Sequence, residues 1–220
     1  MSPRTRLQSE LRPTNHRVES FSDGVFAIVI TIMVIEVDIP DRLAFSNDPQ
    51  ALATLSSAFA TYALSFFVIA NLWVSHHYLI FTLKMPSRGT ICLNNLVLFC
   101  VSTIPLVTRF LGMFPTSSRA AAAYGFVGAA CTGSFMLLRT HAARKTQNEV
   151  HRDIHHRILR RSAVFLSIYL GSMPLAFVSP WLAWACFISV PPMLFLPIIR
   201  AQIKKTESSE GNRGMEHSCP

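Results

Sequence analysis

Residues 17–39 read RVESFSDGVFAIVITIMVIEVDI, an apolar stretch interrupted by the polar residues Asp23, Thr31 and Glu36. As a helix, this stretch is long enough to cross the hydrocarbon core of a bilayer, which takes about 20 residues. A carboxylate inside such a helix is costly, at about 2.5–3.5 kcal/mol on insertion scales, and for that reason indicates a functional site. We therefore expect the function of the protein to reside in this segment.

One face of the predicted helix is continuous and mostly apolar. At 100° per residue this face holds, in chain order, Arg17, Phe21, Gly24, Ile28, Thr31, Ile32 and Ile35. Asp23 lies about 140° away from Ile28 around the same helix. If the apolar stripe faces a central axis, Asp23 points toward the other helices of its own subunit. The alternative is an ordinary membrane helix in which Asp23 caps the N-terminal end.

The rest of the chain adds five more apolar runs that approach the length of a membrane span. With the first segment, they predict six helices, at 17–39, 53–83, 90–110, 118–138, 162–178 and 181–199. The chain is 50% apolar and only 15% charged, whereas an ordinary globular domain is about 25% charged. We therefore expect an all-α membrane protein with six transmembrane helices rather than a soluble domain.

The predicted organisation has three parts. Residues 1–16 form a cytoplasmic N-terminal arm, 17–200 the six-helix transmembrane domain, and 201–220 a disordered cytoplasmic tail. Pro105 is expected to kink the third helix because proline removes a backbone donor. Glycines in the fourth helix (Gly125, Gly128 and Gly133) permit close packing of a neighbouring helix.

The net charge of +8 has the distribution typical of membrane topology rather than of a nucleic-acid-binding surface. Basic residues concentrate in the N-terminal arm, at 84–88, at 139–161 and after residue 200. Because basic loops stay in the cytoplasm, both termini are expected there. The connection that carries Arg109 and Arg119 is the exception to this pattern.

Enzymatic and metal-binding patterns are weak. No CxxC or Cys/His ligand spacing occurs, so neither a zinc site nor a disulfide framework is indicated. His151, His155 and His156 lie in a strongly basic segment, which is more typical of a cytoplasmic surface facing lipid headgroups. Ser22, Asp23 and His77 lack the turn and oxyanion site of a hydrolase. We expect no enzymatic activity, no metal site and no cofactor.

Three motifs in order carry a family resemblance. They are Arg17 with FSDGVFAI at 21–28, Phe66 with NLWVSHH at 71–77, and LNNL at 93–96 with STIP at 102–105. Together they resemble the lysosomal and bacterial potassium channels typified by transmembrane protein 175. The second half of the chain matches that family only in its pattern of helices.

The resemblance implies a bacterial channel for potassium and other monovalent cations. Family members with two six-helix repeats form dimers, and bacterial members with one repeat form tetramers. A single repeat therefore implies a homotetramer in the bacterial plasma membrane, with several membrane passes per chain. The first helix of each subunit would line the ion path, without the pore loop of ordinary potassium channels.

The resemblance also assigns roles to residues of the first helix. The hydrophobic constriction of the family matches Ile28, with Ile32 and Ile35 on the same stripe, and a hydroxyl layer implicated in potassium preference matches Thr31. Isoleucines that meet on an axis can gate by dewetting, and hydroxyls can replace part of an ion's hydration shell. We expect modest selectivity for K⁺ over Na⁺. From spacing alone, packing against helices or lipid is the favoured explanation of the isoleucines, and only the resemblance reverses this preference.

A polar network that joins the first three helices is likewise implied by the resemblance. Its members would be Arg17, Ser22, Asp23, Trp73, His77 and Asn94 or Asn95. Arg17 or a protonated His77 would satisfy Asp23. Helical spacing does not decide between His76 and His77 or between the two asparagines, although the family match favours His77. The network is either a structural clamp or a titrating switch, since a histidine–carboxylate pair can change charge near neutral pH.

The rival function is a proton-coupled secondary transporter in which Asp23 and His77 form the proton relay. Such transporters usually contain inverted repeats and helices broken at the membrane midplane. The chain lacks an inverted repeat, and no helix is plainly broken there by paired glycine and proline. The channel is therefore the favoured prediction.

Overall fold

The computed structural model describes residues 15–37, 49–82, 87–143 and 149–193, with side chains described at 16–37, 49–80, 87–143 and 158–193. Within these ranges the chain is α-helical apart from short turns, and no strand occurs. The helices are α1 Asn15–Ile35, α2 Pro49–Thr82, α3 Arg88–Ser102, α4 Ile104–Met113, α5 Ser118–Ala143 and α6 Glu149–Val178. A further helix, α7, covers 180–193. The predicted all-α fold is confirmed.

Five helical segments in these ranges are long and apolar enough to cross a membrane. They are His16–Ile35, Pro49–Ile80, Arg88–Met113, Ser118–Ala143 and Ile158–Val178. Each overlaps one of the first five predicted helices. The predicted sixth span, 181–199, is described as a helix only as far as residue 193. The tail at 201–220 and the first 14 residues of the arm lie outside the described residues.

The predicted kink at Pro105 divides the third span into α3 and α4. Thr103 ends α3, and its backbone N–H donates to the carbonyls of Cys100 and Val101. Pro105 lies in the first turn of α4. Backbone N–H groups in a first turn have no partner within the helix, so the missing N–H of proline costs no hydrogen bond there. The break therefore occurs just before the proline, as the sequence predicts.

The start of α6 differs from the prediction. The helix begins at Glu149, 13 residues before the predicted start at Ser162, so the segment that we expected to be a loop is largely helical. Hydropathy marks where a helix enters apolar surroundings, not where its backbone hydrogen bonds begin. Arg, Leu and Ile at 152–160 are compatible with a helix in water as well as in lipid.

The buried side chains form two apolar clusters. The first lies among α1, α2, α3 and α5 and includes Phe26, Met33 and Ile69. The second lies among α5, α6 and α7 around Tyr169 and Phe187. Hydroxyl groups tie α2, α4 and α5 together between them: Ser65 Oγ lies 3.0 Å from the Tyr124 hydroxyl and 2.8 Å from that of Thr108. The clusters hold α1 against a stable bundle.

The glycines of α5 let α6 approach closely at two of the three predicted positions. A Cβ on Gly125 would lie 2.5 Å from Ser172 Oγ, and a Cβ on Gly128 would lie 2.5 Å from the Tyr169 ring. A Cβ on Gly133 would meet nothing within 4 Å. Gly125 and Gly128 therefore serve the α5–α6 contact, and Gly133 does not.

We predict that Gly128→Ala destabilises the protein by about 1–3 kcal/mol, the usual cost of overpacking a filled interior. Tyr169 is 2% exposed, so its ring has little room to move aside. Gly133→Ala is the matched control and should leave stability unchanged. The measurement is the thermal unfolding midpoint of purified protein in detergent, and equal midpoints for both variants would contradict the close packing at Gly128.

Candidate functional site

Helix α1 divides into a buried face and an exposed face. The buried face packs into the bundle through Val18, Ser22, Phe26, Val29 and Met33. The opposite face holds Phe21, Gly24, Ile28, Thr31, Ile32 and Ile35, all exposed within the single chain; we call it the α1 stripe. Ile28 is 58%, Ile32 42% and Ile35 77% exposed. The residues that helical spacing groups together thus form one continuous surface, open to a partner outside the chain.

Thr31 places a hydroxyl group within the α1 stripe. Its Oγ1 lies 3.0 Å from the carbonyl oxygen of Ala27 and 2.9 Å from that of Ile28. The hydroxyl proton is donated to the helix backbone, so the lone pairs of the oxygen stay available. An oxygen in this state can accept a hydrogen bond or contact a cation.

A groove runs beside the α1 stripe, between α1 and the α3–α4 segment. It has a volume of about 480 Å³, and its lining includes Ile28, Ile32, Leu106 and an ion pair between Glu36 and Arg109. In that pair Arg109 Nη1 lies 3.1 Å from Glu36 Oε2. The pair compensates the charge of Arg109, which is one of the two basic residues that depart from the loop-charge pattern. Glu36 interrupts the apolar pattern of the first helix, but nothing in its spacing from Arg109 predicts this pair.

A buried chain of hydrogen bonds joins α1, α2 and α3 behind the stripe. His76 Nε2 lies 2.6 Å from Asn94 Oδ1, and Asn94 Nδ2 donates to Ser22 Oγ at 3.0 Å. Ser22 in turn donates to the backbone carbonyl of Val18 at 2.7 Å. His76, Asn94 and Ser22 are each at most 1% exposed; we call them the inner relay.

The direction of the inner relay follows from its chemistry. An amide oxygen only accepts hydrogen bonds, so His76 must carry a proton on Nε2. Each later group then uses its own proton to donate onward, ending at a backbone carbonyl of α1. With Asn94 oriented in this way, every donor of the relay meets an acceptor. Three buried polar side chains are satisfied in this way, and α1 is held in one rotation and height against α2 and α3.

A second polar cluster lies nearer the surface. Trp73 Nε1 donates to Asp23 Oδ1 at 2.8 Å, and His77 Nδ1 lies 3.3 Å from Glu19 Oε1. We call Glu19, Asp23, Trp73 and His77 the outer cluster. Ligand atoms of Glu19, Asp23 and His77 lie within 4.8 Å of one another. In the described ranges, this is the one group of residues with the spacing of a metal site. The expected absence of a metal site stays a prediction.

The expected polar network is therefore divided between two groups. Ser22 and Asn94 belong to the inner relay, together with His76, whereas His77 belongs to the outer cluster. The side chains of Arg17 and Asn95 are exposed, and among the described residues neither is joined to these two groups by a hydrogen bond. In the structure, the Trp73 indole donates a hydrogen bond to Asp23. We expected Arg17 or a protonated His77 in that role. Helical spacing alone does not reveal this division, because it depends on how α2 is rotated against α1.

We predict that Asn94→Leu lowers stability by about 1–3 kcal/mol, because it leaves His76 buried without its acceptor and removes the donor to Ser22. Asn95→Leu makes the same chemical change at an exposed position and should have little effect. The measurement is the unfolding midpoint of each variant in the same detergent. If Asn95→Leu is the more damaging of the two, the assignment of Asn94 to the relay is wrong.

Comparisons with known proteins agree with this arrangement of helices. The family model of the endosomal/lysosomal potassium channel TMEM175 matches residues 17–105, which include the α1 stripe, the inner relay and Pro105. The chain is 36% identical over 132 residues to a protein of Streptomyces collinus that is named as a potassium channel; the match covers 58% of this chain and 64% of that one. It is 26% identical over 186 residues to a Chryseobacterium protein of the same kind of name, covering 84% of this chain and 94% of the relative.

The fold is similar to that of a solved structure as well. The crystal structure of a lysosomal potassium-selective channel TMEM175 homolog from Chamaesiphon minutus matches 83% of this chain and 97% of its own, with a TM-score of 0.75 and 26% identity. Three spaced sequence motifs, the matching family model and this shared fold point to the same conclusion. Over residues 17–105 in sequence, and over most of its length in fold, the chain is similar to the TMEM175 family.

Proposed function

We propose that the protein is a potassium-permeable cation channel, assembled as a homotetramer in which the α1 helix of each subunit lines the ion path. The observation that carries this proposal is the α1 stripe, a continuous and mostly apolar surface that the single chain leaves uncovered. We further propose that the protein resides in a bacterial plasma membrane with both termini in the cytoplasm.

The family and the helices give the general setting. The similarity to TMEM175 channels supports a channel rather than an enzyme. The long apolar helices and the same similarity support a multi-pass protein in a membrane. The potassium-channel names of the Streptomyces and Chryseobacterium relatives support potassium as the permeating ion.

The composition of the α1 stripe favours an ion path over a lipid contact. An ion pair beside an exposed helix face is costly against lipid, and Glu36 and Arg109 line the groove that adjoins the stripe. Four copies of Ile28 around an axis would form a ring that excludes water. The barrier to an ion at such a ring is desolvation. Ile32 and Ile35 extend the same apolar lining.

Thr31 is the residue of the stripe best suited to prefer one cation over another. Its hydroxyl proton is donated to the backbone, so four copies would present oxygen lone pairs toward the axis. Four oxygens replace only part of the hydration shell of a potassium ion. The preference for K⁺ over Na⁺ should therefore be modest.

The inner relay would act as the clamp that keeps the α1 stripe turned toward the axis. It fixes α1 to α2 and α3 at buried positions, where a broken hydrogen bond is costly. The outer cluster, with its partly exposed His77–Glu19 pair, lies outside this clamp. A proton relay through Asp23 is less suited to this geometry, because its hydrogen-bond partner is an indole that does not titrate.

We predict that Ile28→Asn raises the current through the channel. An amide at the ring would hydrate the constriction, and each 1.4 kcal/mol removed from the barrier gives about a tenfold rise. The measurement is current across planar bilayers that contain purified protein. Ile30→Asn is the control, because Ile30 is partly buried against the core; it should lower stability without raising the current.

A cysteine at position 28 tests the same assignment independently. In a chain without its native cysteines, Ile28→Cys should be blocked by silver ions or a small thiol reagent, because the side chain lies in the ion path. A folded tetramer in which Ile28→Asn leaves the current unchanged and Ile28→Cys does not react would refute the proposed pore. A monomeric or dimeric protein that conducts would refute the proposed tetramer but not the proposed channel function.

We predict that Thr31→Val reduces the preference for K⁺ over Na⁺ while the fold is kept, because valine has nearly the shape of threonine but no hydroxyl. The expected result is a reversal potential under bi-ionic conditions that moves toward zero. An unmoved reversal potential in a conducting channel would remove Thr31 from the selectivity layer and leave the isoleucine constriction standing.

A further inference from the structure

A cavity with an apolar wall and several polar groups lies away from the α1 stripe, among α2, α5 and α6. Its volume is about 220 Å³, and its polar lining consists of Asn71, Ser75, Thr132, Arg139, Arg161 and Ser162, with Tyr78 beside them. None of the residues that line it is acidic. The cavity thus combines two guanidinium groups with hydroxyl and amide groups and has no carboxylate of its own.

Arg139 is the unusual member of this cavity. The residue is only 3% exposed, and its Nη2 donates to the Ser75 carbonyl at 3.3 Å. The guanidinium carbon lies 5.1 Å from the centre of the Phe135 ring. Its Nε is buried, with no hydrogen-bond partner among the residues that the structure describes, and no described carboxylate forms an ion pair with it. A buried charge is costly when it is unpaired, so this site favours an anion.

Arg161 brings a second positive charge to the same cavity from α6. Its guanidinium carbon lies 5.5 Å from the centre of the Phe165 ring. A planar guanidinium stacked on an aromatic ring can still bind a phosphate through its N–H edges. Arg139 and Arg161 thus line the same cavity from two different helices.

The depth of the cavity suits a lipid headgroup. Arg139 lies one turn before the end of the span Ser118–Ala143, and Arg161 lies one turn after the start of the span Ile158–Val178. Both are thus near the level at which a bilayer changes from hydrocarbon to phosphate. The sequence from 139 to 161, which connects the two arginines, contains seven basic and two acidic residues. Basic pockets between helices at this depth are suited to anionic lipid headgroups.

We propose that this cavity binds a phosphate group between Arg139 and Arg161, supplied by an anionic phospholipid of the surrounding leaflet. The phosphate would give Arg139 Nε an acceptor and would join α5 and α6 to α2 beside Ser75. Ser75 precedes His76 of the inner relay, so the bound lipid would brace the segment of α2 that positions α1. The proposal concerns binding and does not depend on the ion that the protein conducts.

The test is a titration of the purified, detergent-solubilised protein with phosphatidylglycerol, measured by native mass spectrometry and by the thermal unfolding midpoint. Phosphatidylcholine with the same acyl chains is the lipid control, and inorganic phosphate alone is the arm that detects a free-anion site. The variants are Arg139→Gln and Arg161→Gln. Arg160→Gln is the matched control, because Arg160 is exposed, is not among the cavity-lining residues and has the same charge.

Phosphatidylglycerol should bind the unmodified protein and raise its midpoint by roughly 3–6 °C at about ten times the dissociation constant. Arg139→Gln and Arg161→Gln should each weaken this binding about tenfold or more, whereas Arg160→Gln should not. If inorganic phosphate gives the same Arg139-dependent shift, the site binds the free anion rather than the lipid.

Equal binding of both lipids by every variant, or equal losses in Arg160→Gln and Arg161→Gln, would overturn the proposal. Either result would mean that the effect is general surface charge rather than a built site. If Arg139→Gln does not fold, lipid binding by Arg161→Gln and Arg139→Lys is the test of the proposal. Because the readout is lipid binding, failure here leaves the proposed channel untouched, and failure of the current measurements leaves the lipid site untouched.

Discussion

The hydrogen bond between His76 and Asn94 is the contact on which the arrangement of the site depends. At 2.6 Å and with both residues almost fully buried, it joins α2 to α3, and through Ser22 the same chain of bonds reaches α1. A buried polar group without a hydrogen-bond partner destabilises the folded protein. The relay therefore permits one rotation of α1, and that rotation decides which of its residues remain uncovered.

The apolar residues of α1 follow from this rotation. Phe26 and Met33 fill the core, so Ile28, Ile32 and Ile35 are left on the outside with Thr31 among them. Further along the chain, the break before Pro105 starts α4 with a new set of hydrogen bonds, and Arg109 on α4 pairs with Glu36. The exposed surface is thus bounded by polar contacts near both ends of α1, the outer cluster at one end and the Glu36–Arg109 pair at the other.

Buried polar groups tie the helices together at several levels. Besides the inner relay, Ser65, Thr108 and Tyr124 bond to one another across α2, α4 and α5, and Trp184 donates to the Pro115 carbonyl from α7. Within a membrane the hydrophobic effect does little to hold helices together, so close packing and hydrogen bonds of this kind carry more of the specificity. The fit of Tyr169 against Gly128 has the same role between α5 and α6.

Much of this protein could be predicted from the sequence by itself: the helical membrane fold, five of its spans, the break at Pro105 and the stripe on α1. These features depend on apolar length, on the chemistry of proline and on the 100° repeat of a helix, all of which are local properties. The start of α6 at Glu149 was missed because a basic segment can be helical in water without any apolar signal.

Only the tertiary structure decided which polar residues meet. His76 and His77 are neighbours in sequence, but they face different groups, Asn94 in the core and Glu19 near the surface. Asn94 is buried while Asn95 is exposed, and Arg139 is enclosed among three helices. Each of these outcomes depends on the rotation and height of one helix against another. This rotation and height are set by the packing of side chains that are distant in sequence, so they cannot be predicted from a local sequence pattern.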